Sequence, residues 1–481
     1  MNRIGLGFLF VLCALLSFFL ASGNWFALAA LFIVIVGINI WLAGYRVVLI
    51  LWLIGSPTLF VFANNVLQVL PTVTVERLLL VMLIAMLLLK RIFSPPLPAD
   101  ADQDPNFFWR LLSLEKMFFL FAGWLIFTWV LRDMRGDYPV EIKDDFVTLM
   151  QYFTPMLAFT LMRFLPWSRQ QLTQLYWGLI AVGLFLAITA VLQRKLGITW
   201  FVPVYMEVIA SATRATGTFS NPSEFGLVQS ALLIIGLFIG SRAKDTMART
   251  FIFTCCLVIF GSVILSGSRA PLVGLAVSLV YLFAVDRTIR PLLTFLAAIG
   301  GLVGMMVLPL VIDLPTLMER LKELSPIYNR LALWVAAVSM ALSNPLVGIG
   351  FGRGAFKEAL MDYSISWGPI SAQWASGVSI PHNEFLHVAA WSGILGLSLY
   401  LYIIIHGWRL IQKIQSDVSL EPWVRDHAIY IGALWINYFV TGLWVDLGWF
   451  NYIAVLTYML LGAMYSHAAS ASNPIASNKI S

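Results

Sequence analysis

Apolar runs close to or above ~18 residues recur along this chain, and that recurrence constrains its fold more than any other feature. A helical run of that length matches the hydrocarbon thickness of a bilayer. Soluble domains carry about 25% charged residues. Here 11% of 481 residues are charged and 60% are hydrophobic, more apolar surface than a water-soluble fold can hide. The chain therefore reads as an all-α, polytopic integral membrane protein. About fourteen spans are expected, with approximate cores at 4–21, 25–43, 47–63, 77–89, 117–131, 147–165, 173–192, 224–241, 250–266, 271–285, 291–312, 384–406, 428–446 and 449–466.

Charge sets the expected orientation. With the N-terminus inside, the interior loops hold Arg46, then Lys90, Arg91, Arg110 and Lys116, then Arg163 and Arg169. Arg242, Lys244 and Arg249 follow, then Arg287 and Arg290, then Arg409, Lys413 and Arg425. Every interior loop is basic, as the positive-inside bias requires. The outer loops hold acids instead, among them Asp133, Asp144, Asp145, Asp313 and Glu358. An even span count places both termini in the cytoplasm. The first run resembles a signal peptide, with Arg3, an apolar core and Ala21-Ser22-Gly23, but the parity argues that it stays as an anchor. The net charge of +6 belongs to these loops and does not indicate nucleic-acid binding. Cys13, Cys255 and Cys256 lie in apolar runs and form neither a disulfide framework nor a metal motif.

One connection, 313–381, is too long to be a simple link and falls on the outer face. Inside it, Leu331, Trp334, Val335, Val338 and Leu342 make one stripe at helical spacing. This predicts an amphipathic helix that lies on the membrane surface or packs on the bundle without crossing. The outer face also collects three arginines that the inside-positive bias does not explain: Arg214, Arg269 and Arg330. Guanidinium groups suit bidentate phosphate recognition, and snorkelling to lipid phosphates is the alternative. Arg269 sits in Ser266-Gly267-Ser268-Arg269, where glycine permits close approach and Ser268 adds a short donor.

The string PHNEFLHVAAWSGILGL at 381–397 places His382 and Asn383 where a span begins. His382 is a candidate general base, and the pair is equally suited to capping the helix. His382 and His387 are five apart and should face different sides of a helix, so a zinc site is not expected. Glu224 and Glu384 begin spans, where the helix dipole favours a carboxylate. NPLVGIGFG at 344–352 reads as an irregular turn that ends the amphipathic helix.

Four of these strings, in order, resemble the O-antigen ligase and polymerase superfamily of bacterial envelope glycan transferases. They are GTFSNPSEFG at 217–226, SGSRAPLVGL at 266–275, RLALWVAAVSMALSNPLVGIGFG at 330–352 and HNEFLHVAAWSGILGL at 382–397. The likeness covers roughly 195–410, and the chain departs from the pattern at Trp391 and Ala270. It implies a fold like the large membrane glycosyltransferases, with N-terminal helices over 1–194, a catalytic core over 195–410 and C-terminal helices over 411–481. It also implies transfer of a glycan from undecaprenyl diphosphate to an acceptor hydroxyl, at the periplasmic face of the bacterial inner membrane. Neither metal nor cofactor is implied. By the same resemblance Arg269 and Arg214 would hold the diphosphate, Arg330 would add a contact, and His382 would be the base. Ser268 and Asn383 would join the substrate site.

The acceptor separates the branches: a growing glycan for a polymerase, lipid A–core for a ligase, a protein hydroxyl for an O-oligosaccharyltransferase. The length of the chain and of the outer loop favour a polymerase. Tyr328, Tyr363, Trp367 and Trp374 in that loop are candidates to stack on sugars. The competing class is a transporter or flippase of polyprenyl-linked saccharides, which would place ionisable groups and broken helices near the bilayer midplane.

Overall fold

The structure is a computed structural model that describes residues 113–136, 142–165, 167–199, 214–294, 325–352, 354–363 and 380–471, with residues 49, 52–58, 138, 201 and 298. The chain divides into two compact units, Met1–Gln103 and Asp104–Ser481, and the elements below belong to the second. The expected spans at 4–21, 25–43 and 77–89, and most of 47–63 and 291–312, fall outside the described residues.

The described residues of the second unit are helical, with no strand. In chain order they form α1 (Ser113–Arg135), α2 (Ile142–Phe164), α3 (Arg169–Leu196), α4 (Pro222–Arg242), α5 (Thr246–Leu265) and α6 (Arg269–Val285). Then come α7 (Ser325–Ser343), α8 (Ala355–Tyr363), α9 (Glu384–Ser416), α10 (Pro422–Thr441) and α11 (Asn451–Ala471). Six of them, α1, α3, α4, α5, α9 and α11, are long and apolar enough to cross a membrane. Local chemistry sets their ends. Ser168 and Gln171 close a capping box on α3, and Gly197 ends it in the left-handed conformation. Asn221, Asp245 and Asn383 cap α4, α5 and α9. Pro222 and Pro422 stand in the first turns of α4 and α10, where no amide hydrogen is needed.

Helix α4 is the centre of one group of helices, buried from Glu224 to Gly240 and packed on α3, α5, α6 and α10. Between apolar helices in lipid, association depends on close packing and interhelical hydrogen bonds. Gln229 Nε2 accordingly donates to Gly183 O at 3.1 Å and to Ser262 Oγ at 2.7 Å. Helices α6 and α10 approach until a Cβ on Gly274 would meet Thr441 Oγ1 at 2.3 Å. A second group joins α1, α2, α9 and α11.

Polar groups gather at the two ends of the bundle. At one end Arg163 pairs with Glu115 at 2.9 Å, and Arg242 bridges Asp286 and Asp426, each at 3.0 Å. His467 Nδ1 lies 2.7 Å from Trp167 O there. The opposite end carries the α3–α4, α5–α6 and α10–α11 turns and the start of α9.

Two sequence expectations change. Helix α7 forms where the amphipathic helix was expected and packs on α9, but its buried face is Leu333, Ala336, Ala337 and Met340. Leu331, Val338 and Leu342 are exposed. The larger side chains do not choose the buried face, because Ala336 and Ala337 let two helices approach more closely.

The segment 344–352 is also more than a turn. Helix α9 is broken at Gly393, with φ 65° and ψ −168°. Such a break strands main-chain groups that a bilayer cannot satisfy. Segment 344–352 fills it: Ile349 N donates to Ala390 O at 2.9 Å, Gly350 N to Trp391 O at 3.1 Å, and Ile394 N to Pro345 O at 2.8 Å. Trp124 Nε1 donates to Ser392 O at 2.9 Å. Gly348 has φ 69°, and a Cβ there would lie 2.4 Å from Ala390 O. Gly348→Ala should therefore lower the melting temperature of the purified protein markedly. Positive φ alone costs about 1 kcal/mol in a residue with a side chain, and the collision adds to it. Gly354→Ala, which meets nothing within 4 Å, should melt like the parent.

Candidate functional site

The α3–α4 connection folds back on the α5–α6 turn. Gln193, near the end of α3, accepts from Thr216 N at 2.9 Å and from Gly217 N at 3.1 Å, and Ala215 N donates to Leu265 O at 3.0 Å. These bonds bring Arg214 over Gly267, whose φ is 61° and whose missing side chain leaves room for Arg214 Cγ. Ser268 and Ser223 share a hydrogen bond at 2.7 Å, which ties the turn to the first residues of α4. Arg269 follows as the first residue of α6 and is exposed, as is Arg214.

Arg330 reaches the same place from α7. Burial lowers its pKa, and the neighbouring charges of Arg269 and Arg214 lower it further, whereas Asp446 raises it. The three arginines therefore sit within each other's fields. Like charges held together in a partly desolvated place form an anion-binding arrangement.

His382 stands beside them in the turn before α9. Trp334 Nε1 of α7 donates to Pro381 O at 3.1 Å and fixes the entry to this turn. Among the described residues His382 alone has a positive φ without being glycine, at 54°. A conformation of this kind costs of order 1–3 kcal/mol and recurs at functional sites. Its Nδ1 lies 3.6 Å from Asp446 Oδ2, and its side chain is 41% exposed. Burial lowers the His382 pKa below 6.5; Asp446 works against that, and Arg330 and His387 add to it. The imidazole is thus neutral at pH 7.

Asp446 was not singled out in the sequence. It was read as the last residue of the span 428–446, but α10 ends at Thr441 and Asp446 lies in the turn to α11, 1% exposed. An acidic residue between two apolar runs, on the face where the arginines gather, was the available signal. His387 meets it as well. The expectation that His382 and His387 face different sides fails because His382 precedes the helix, and its positive φ turns the side chain back. His387 Nδ1 lies 2.9 Å from Asp446 Oδ1, within ion-pair range though not aligned as a hydrogen bond. Trp391, with its ring centre 3.6 Å away, and Phe356 enclose it. One carboxylate therefore faces two imidazoles, one open to the arginines and one fully buried.

Glu384 is the next layer. It is fully buried, its Oε2 accepts from Gly448 N at 3.1 Å, and its own N donates to Gly442 O at 2.9 Å. Asn383 is occupied at both ends of its amide: Oδ1 accepts from Leu386 N at 3.0 Å, and Nδ2 donates to Leu443 O at 2.9 Å. Both residues hold the α10–α11 turn, and with it Asp446, against the start of α9. Ser268 is likewise buried and engaged with Ser223. The structure thus brings Arg214, Arg269, Arg330 and His382 to one end of the bundle and sets Ser268 and Asn383 into the backbone that positions them. Trp367, Trp374 and the Tyr328 side chain lie outside the described residues, and Tyr363 ends α8.

Comparison with known proteins adds an independent line. The family described as O-antigen ligase matches residues 253–401, which include Arg269, Arg330 and His382 but neither Arg214 nor Asp446. Two rickettsial proteins, each named "Putative polysaccharide ligase", are similar to part of the chain. The one from Rickettsia conorii is 23% identical over 188 residues, 37% of this chain and 42% of its own length. The one from Rickettsia felis is 24% identical over 183 residues, with the same coverage. The chain spans about two fifths of the length of the curated relatives it matches. Through residues 253–401, the chain is similar to the O-antigen ligase family.

Proposed function

We propose that this protein transfers a glycan from undecaprenyl diphosphate to an acceptor hydroxyl at the outer leaflet of the bacterial inner membrane, without metal or nucleotide. The observation that carries this reading is the convergence of three guanidinium groups on a neutral imidazole backed by a buried carboxylate. In this reading the arginines take the diphosphate, which is already a good leaving group. The acceptor oxygen attacks the anomeric carbon, the bond from that carbon to the phosphate oxygen breaks, and the acceptor proton passes to His382 Nε2. Asp446, 3.6 Å from Nδ1, stabilises the imidazolium that forms. The charge that develops on the departing phosphate is met by groups already in place. Ser268 and Asn383 act through the backbone they hold, and His387 keeps Asp446 oriented from behind.

The reading is tested with purified protein, a synthetic undecaprenyl-diphosphate oligosaccharide and no nucleotide. A ladder of lengthening lipid-linked glycan, lost in His382→Ala, is the outcome for a polymerase. Transfer only after addition of lipid A–core or an acceptor protein is the outcome for a ligase or a protein O-oligosaccharyltransferase. Absence of any product, together with movement of the lipid across reconstituted vesicles, would replace the enzyme with a transporter.

Arg269→Ala should lower kcat by about 10²–10³, the usual effect of removing one fixed donor to developing charge. Arg269→Lys should recover part of that, since an ammonium keeps the charge and loses the fork. Equal activity of both variants with the parent protein would remove Arg269 from the site.

The pH profile offers a signed test. His382 acts as a base when neutral, so activity should fall as pH drops through its pKa, below 6.5. Asp446 raises that pKa and Arg330 lowers it. Asp446→Asn should therefore move the acid limb of kcat/KM to lower pH, and Arg330→Gln should move it to higher pH. A limb that moves with neither variant would mean that another group sets it.

A further inference from the structure

At the end of the bundle opposite His382, a cavity of about 300 Å³ opens between α3, α4 and α10, lined by Arg169, Arg242, Glu421, Pro422, Trp423 and Asp426. Its charges are divided in an informative way. Arg242 pairs with Asp426 and with Asp286, each at 3.0 Å, and Tyr430 donates to Asp286 at 3.0 Å, so that wall is internally neutralised. Arg169 and Glu421 line the same cavity, yet neither is at ion-pair distance from the other or from any opposite charge among the described residues. The cavity therefore presents one cation and one anion that stand outside any ion pair among the described residues. Trp423 forms its apolar surface, with Arg169 Cζ 5.5 Å from the ring centre.

A diphosphate or other purely anionic group would need surplus cations, and this cavity has none. Its complement is a zwitterion that carries a phosphate and a primary ammonium. The surroundings identify where such a group comes from. Val418, close to Glu421 in the chain, is 83% exposed, and Met247 at the start of α5 is 84% exposed. Apolar side chains left open beside charged ones, at the end of a membrane bundle, mark the bilayer surface, where pockets between helices hold lipid headgroups. We propose that this cavity binds the phosphoethanolamine headgroup of a membrane phospholipid, with the phosphate on Arg169 and the ammonium on Glu421.

The test is native mass spectrometry of the delipidated, full-length protein with phosphatidylethanolamine, phosphatidylglycerol or soluble glycerophosphoethanolamine. One phosphatidylethanolamine should be retained per chain. Phosphatidylglycerol, which lacks the ammonium, should bind about tenfold more weakly or worse. Arg169→Gln and Glu421→Gln should each lose about tenfold or more, the size of one charge-assisted hydrogen bond. Both residues are exposed, so the lipid-free variants should melt like the parent, which separates lost binding from lost fold. Equal retention of phosphatidylglycerol, or undiminished phosphatidylethanolamine binding by both variants, would overturn the proposal. Glycerophosphoethanolamine binding as tightly as the lipid would overturn the lipid as the source.

Discussion

Every main-chain amide and carbonyl of a chain this apolar has to find its partner inside the protein, because a bilayer supplies none. That requirement makes the described elements helices and sends irregular backbone to the helix ends. It also explains a place, among the described residues, where irregular backbone enters the bundle. At Gly393 the α9 ladder opens, and the segment 344–352 enters with its own amides and carbonyls to close the account. Gly348 in that segment and Gly393 in α9 are there for space, since a Cβ on either would fall on the backbone of the other segment. The hydrogen bonds across the break tie the first part of α9 to segment 344–352.

The same requirement concentrates the chemistry. Charged groups are expensive in the apolar layer, so they collect at the two ends or pair with an opposite charge. Arg132 and Asp145, both fully buried, are ion-paired with each other at the α1–α2 end nearest segment 344–352. At the candidate site the arrangement is different. Arg330, His382 and His387 lie in the field of the buried Asp446, and Arg214 and Arg269 stand beside Arg330. The positive excess is unfavourable in the empty protein and becomes favourable when an anion arrives, which is the energetic form of a binding site. The opposite end carries the balanced cavity of Arg169, Glu421 and Trp423, and its neutrality contrasts with the excess around Arg269.

Much of this was legible in the residues. Hydropathy placed the helices that became α1 to α6 and α9 to α11, because apolar length responds to the bilayer and to little else. Arg214, Arg269, Arg330 and His382 were legible as unusual polar residues on one side of a charge pattern. The errors have physical causes. The α7 stripe was drawn through Leu331, Val338 and Leu342 on the assumption that large apolar residues seek the interior, but lipid is as apolar as the interior, and small residues win the helix contact. Asp446 was absorbed into a span because hydropathy averages over a window and cannot find where a helix stops. Segment 344–352 read as a turn because its partners, Ala390, Trp391 and Ile394, lie some forty residues further on.

The sequence by itself determined that this is a helical membrane protein and which arginines stand out from its charge pattern, since both follow from local composition repeated along the chain. Only the tertiary structure decided that His382 and His387 meet on Asp446, that Asn383 and Ser268 serve the backbone, and that a break in α9 is filled from elsewhere. Those features depend on pairings between residues far apart in the chain. Such pairings are set by how helices pack and where each one ends, and a one-dimensional pattern contains neither distance.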